Sequence, residues 1–97
     1  MITIRQLSSG ISVKGHANYA DPGQDIVCAG VSTLAQTLIA AIEELTADKI
    51  HYSISPGTVD INFGNLSKDA QLLVSSFFIG CQMIADTYPD NVRVSKH

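Results

Sequence analysis

The sequence predicts an α+β domain of two layers, a mainly antiparallel sheet carrying two helices on one face, in the order ββαββαβ. Residues 2–7 and 11–17 alternate apolar and polar around Ser-Ser-Gly, and residues 50–55 and 58–63 do so around Pro56-Gly57. Apolar residues recur at three- and four-residue steps after Asp25 and again after Ser67. Two tight hairpins exclude a sheet made of parallel βαβ units alone.

The first strand, "ITIRQL", is β-branched at alternate positions, "SSG" turns the chain, and "ISVKGHA" continues the alternation. Ile11, Val13 and Gly15 then share one face and Ser12, Lys14 and His16 the other, so His16 is expected on the side away from the core. Asp25 suits the N-cap of a helix over about 26–46, whose stripe is Val27, Val31, Leu34, Leu38, Ala41 or Ile42, and Leu45. "IHYSIS" and "TVDINF" form the second hairpin around Pro56-Gly57. Ser67 caps a second helix with Ala70, Leu73 or Val74, Phe77, Cys81, Ile84 or Ala85, and Tyr88 as its stripe, and Pro89 as its stop. "NVRVS" at 91–95 closes the chain as a last strand.

One domain over residues 1–97, with 45% apolar and 15% charged residues, suffices for a modest core without a metal or a disulfide. A net charge of -3 with only six Lys and Arg argues against direct nucleic-acid binding and favours a basic macromolecular partner. The N-terminus lacks an apolar run of signal-peptide length, and no run approaches a membrane span, so a cytoplasmic protein without a membrane partner is expected. Two cysteines make neither a disulfide framework nor a zinc site, and no cofactor is implied.

The chemistry concentrates in "GHANYADPGQDIVCAGVS". With Asp25 as cap, Cys28 is the third helical residue, in the first turn, where backbone N–H groups lack intrahelical partners. Such an end favours a thiolate, and its free amides suit a developing oxyanion. The helix dipole contributes about 0.3–1 kcal/mol. An imidazolium at about 4 Å contributes on the order of 4 kcal/mol before screening, so His16 is the expected main activator. Against this stands the plainer reading, Cys28 as a small buried hydrophobe and His16 as a solvated strand residue. Cys81 lies on the second helix's stripe and reads as core, while His51 and His97 read as structural or solvated.

The segment "GHANYADPGQDIVCAGVSTL" resembles the signature of the Prp family of ribosomal-processing cysteine proteases, in which a "GHA" motif precedes "DIVCA" and a serine. The two halves place His16 and Cys28 twelve positions apart, and the likeness extends over the whole chain. The resemblance implies a homodimeric cysteine endopeptidase of low-GC Gram-positive bacteria. Its substrate would be the N-terminal extension of a large-subunit ribosomal protein of the L-twenty-seven family, cut after a Phe-Phe-like motif. Cys28 would be the nucleophile and His16 the general base and acid. Asp25 and Ser32 match motif positions as supporting residues, Asp25 either orienting His16 or capping the helix. The loop from Ala17 to Gln24, with Asn18, Tyr19, Asp21, Pro22 and Gly23, is expected to order over the substrate as a lid or to be a plain connector. Two other functions remain open: a non-catalytic ribosome-associated binding module, and a thiol redox sensor in which Cys81 would have to resolve Cys28.

Overall fold

The computed structural model describes residues 1–21 and 23–96. Strand β1 (Ile2–Leu7) pairs antiparallel with β2 (Gly10–Lys14), setting Ile4 opposite Val13. Helix α1 (Ile26–Leu45) leads into β3 (Ile50–Ser55) and β4 (Thr58–Phe63), a second antiparallel hairpin, and β4 pairs with β2 through Ile11–Ile61 and Val13–Val59. Helix α2 (Lys68–Thr87) then carries the chain across to β5 (Val92–Lys96). The strand order is β3-β4-β2-β1-β5, and only β5 runs parallel to its neighbour, β1. A parallel neighbour requires a crossover rather than a hairpin, which is the service α2 performs.

The expected architecture is present, with the element order ββαββαβ and both helices packed on the sheet. Ile2, Ile4, Ile11, Val13, Val59 and Ile61 share the buried sheet face because strand side chains alternate. Against them pack Val27, Val31, Ala35, Leu38, Ile39 and Ile42 of α1, and Ala70, Val74, Phe77, Phe78, Cys81 and Ala85 of α2. Phe77 and Phe78 meet edge to face at 5.1 Å. Helix α1 is long and apolar enough, by length and composition, to cross a membrane, and in this fold its buried face packs on the core.

Two element ends depart from expectation. The second strand stops at Lys14 rather than running through Ala17, because Gly15 adopts φ 105° and its N–H donates to the carbonyl of Gly57 at 2.9 Å. The last strand begins at Val92, since the Asn91 N–H turns back to the Tyr88 carbonyl at 3.0 Å. At the other edge of the sheet, Tyr52 and Ile54 of β3 share the face of Ile61 and Val59 yet stay exposed.

Candidate active site

The turn after β2 positions His16. Gly15, at positive φ, swings the next residue out of the strand, so His16 does not lie on the sheet face away from the core as alternation predicts. Its ring instead packs over the β3–β4 turn. A Cβ on Gly57, itself at φ 72°, would stand 2.7 Å from His16 Nε2, so an L side chain there would displace the imidazole from this seat. The His16 carbonyl accepts from the Met1 amino nitrogen at 2.6 Å.

Cys28 sits in the first turn of α1, half-buried against the core, and its Sγ accepts a hydrogen bond from the Ala17 N–H at 3.3 Å. His16 and Cys28 face one cleft with two recesses. The first opens between α1 and the β3–β4 hairpin and is walled by Val13, Val31, Ala35, Ile54 and Val59, an apolar slot. The second opens between the start of α1 and the loop before it, walled by Asn18, Ala20, Gly23 and Ala29. A chain threaded through both would cross the sulfur.

Asp25 is fully engaged with backbone. One carboxylate oxygen accepts from the Val27 and Cys28 N–H groups at 3.0 and 2.9 Å. The other accepts from Tyr19 and Ala20 at 3.0 and 3.3 Å. The Cys28 amide holds this carboxyl below the usual carboxylate range, desolvation opposes, and the Tyr19, Ala20 and Val27 amides add to the lowering. Of the two roles open to it, Asp25 has the geometry of the cap, which also staples the preceding loop to α1. This corrects the expected oxyanion donors: the Val27 and Cys28 amides are taken by the Asp25 side chain and the Ala29 amide by the Asp25 carbonyl, so they do not point at the cleft unpaired.

Ser32 lines both recesses one turn beyond Cys28, its Oγ accepting from Gln36 at 2.9 Å. In the loop, Ala17 is 1% exposed and belongs to the core rather than to a lid. Asn18 takes φ 56°, and the Asp21 carbonyl accepts the Gln24 N–H at 2.9 Å. The Tyr19 ring stands edge-on to Tyr88 at 5.2 Å, so its packing partner here is α2's C-cap. Pro22 and His97 lie outside the described residues. Cys81 is buried in α2 and burial pushes its thiol up to about 12, which suits packing and not exchange chemistry. His51 is an exposed residue of β3.

Three contributors escape sequence reading. Gly57 is visible as a turn residue but not as the seat of His16. The Ala17 amide and Ile54 reach the cleft only through the way α1 and the second hairpin stack on β2.

Residues 1–93 match the family model described as cysteine protease Prp. The ribosomal processing cysteine protease Prp of Staphylococcus aureus is 32% identical over 88 residues, covering 88% of this chain and 83% of that protein. Its Bacillus subtilis counterpart is 31% identical over 91 residues, covering 84% and 79%. Among solved structures, the S. aureus protease Prp in complex with a covalently linked product peptide superposes with a TM-score of 0.91 at 27% identity, over 100% of both chains. The same S. aureus protease with a substrate peptide gives 0.81 at 25% identity, covering 99% and 97%. A sulfur in the first turn of a helix, a histidine lining the same cleft and these likenesses agree, and the chain belongs to the Prp family of ribosomal-processing cysteine proteases.

Proposed function

We propose that this protease removes the N-terminal extension of a large-subunit ribosomal protein of the L-twenty-seven family, with Cys28 as nucleophile and His16 as general base and acid. The observation that carries the reading is the shared cleft: Cys28 Sγ and His16 face the junction of two recesses, one of them an apolar slot suited to a Phe-like side chain. The S. aureus relative bound to a covalently linked product peptide supports it.

In this mechanism His16 takes the Cys28 proton. The thiolate forms a bond to the scissile carbonyl carbon while the C=O π pair moves to oxygen. Collapse expels the amine, which takes its proton from the His16 imidazolium, and leaves a thioester. Water then adds, giving a proton to His16, and the C–S pair returns to sulfur. Asn18 and Gly23, which wall the second recess, belong to the outer loop that closes on the peptide in this proposal, with Asp21 between them.

Cleavage of a peptide spanning the extension tests the assignment. Cys28→Ala and His16→Ala are expected to abolish measurable turnover, while Cys81→Ala retains it; persistent cleavage by Cys28→Ala would falsify the mechanism. Amide-exchange protection of residues 18–21, 23 and 24 is expected to rise when an uncleavable peptide binds. The protease acts in the cytoplasm as a homodimer in this proposal, and the apolar side chains Leu72, Ile79 and Met83 exposed along α2 support a second copy as partner. Sedimentation velocity is expected to return twice the chain mass.

A further inference from the structure

We infer that the backbone N–H of Ala17 is the catalytic hydrogen-bond donor of this site, and that Asn91 is the positioning residue that aims it. The inference rests on Cys28 being the nucleophile.

The first-turn amides of Val27, Cys28 and Ala29 are occupied by Asp25. The amide that does touch the reacting atom is Ala17, 3.3 Å from Sγ. An oxyanion formed on the carbon attached to Sγ is two bonds from sulfur, within reach of the same N–H. The donor therefore serves the thiolate before attack and the oxygen after it, when the carbonyl π pair has moved there.

This amide is held rigidly. In a trans peptide the N–H points opposite to the preceding carbonyl, and that carbonyl, of His16, is bound by the Met1 amino nitrogen on the far side. The Ala17 carbonyl accepts from Asn91 Nδ2 at 2.9 Å, and the Ala17 methyl is buried. Asn91 is fixed in turn: its N–H donates to Tyr88 and its carbonyl accepts from Ile2 at 2.8 Å. A residue between α2 and β5 thus orients a donor at the cleft through one carbonyl. Preorganised donors act because no reorganisation is needed when charge develops.

The test replaces Ala17 with L-lactic acid, an ester that keeps the methyl and carbonyl but lacks the N–H, assembled in the full chain by ligating peptide 1–27 to 28–97 at Cys28. With the extension peptide as substrate, kcat is expected to fall about 10²–10³-fold while KM stays unchanged. Iodoacetamide alkylation of Cys28 at neutral pH is expected to slow as well. A kcat within about threefold of the all-amide chain overturns the inference, a margin far below the loss of an oxyanion donor. Should the ester form not fold, Asn91→Asp decides: a drop in kcat with KM held supports the assignment, and a change confined to KM or melting temperature overturns it. Cys28→Ala assayed in parallel separates the premises. Cleavage surviving there removes Cys28 as nucleophile, whereas cleavage lost there but intact in the ester form removes only the Ala17 donor.

Discussion

Gly57 and His16 meet across the cleft floor, and each limits what the other position tolerates. A methyl group at Gly57 would stand 2.7 Å from Nε2 and would also occupy a left-handed backbone at φ 72°, costing about 1–2 kcal/mol for an L-residue. Gly57→Ala is therefore expected to lower kcat at least tenfold, far more than its loss of stability explains, by pushing the imidazole away from the sulfur. A D-alanine at the same position prefers positive φ and turns its methyl off the ring. Recovery of kcat in that form, read in the peptide assay, distinguishes ring displacement from backbone strain. His16 and Cys28 were legible as a pair from "GHA" and "DIVCA", but the glycine beneath the histidine was not, because sequence patterns carry no information on which turn a ring will rest.

Capping residues tie the helices to the rest of the chain, and their carboxylates make that tie depend on pH. Asp25 staples the loop to α1, and Asp48 accepts from both the amide and the hydroxyl of Ser67, the α2 cap, at 2.7 and 2.6 Å. The hydroxyl of Ser67 leads in holding the Asp48 carboxyl low, followed by its amide. A carboxyl depressed in the folded state contributes stability that is present above its unfolded value, about 3.9, and is lost as pH falls through the lower folded value. The melting temperature is thus expected to fall on acidification below about pH 4, and to fall less steeply in Asp25→Asn and Asp48→Asn. Ser67→Ala removes the hydroxyl bonded to the Ala70 amide at 3.2 Å and is expected to cost about 1 kcal/mol in denaturant unfolding. Both caps were readable from residue type and spacing. That Asp25 would spend both oxygens on amides, and so leave His16 without a carboxylate partner from this residue, depended on how the loop folds back.

Taken as one body, the molecule is a layered core whose rim happens to form the cleft. Phe78 is 1% exposed at the centre of α2's contacts, and Phe78→Ala is expected to cost about 3–5 kcal/mol in urea unfolding, with activity lost only through unfolding. Periodicity was enough for the element order, the two helices and both hairpins, since buried faces must repeat every two residues in a strand and every three or four in a helix. Motif spacing was enough to single out His16 and Cys28, the two side chains that line both recesses of the cleft. The parallel entry of β5, the slot against Ile54, the seat of His16 on Gly57 and the Asn91–Ala17–Cys28 chain came only from tertiary structure. Each joins residues far apart in sequence, where no side-chain pattern marks the contact and packing alone selects the partner.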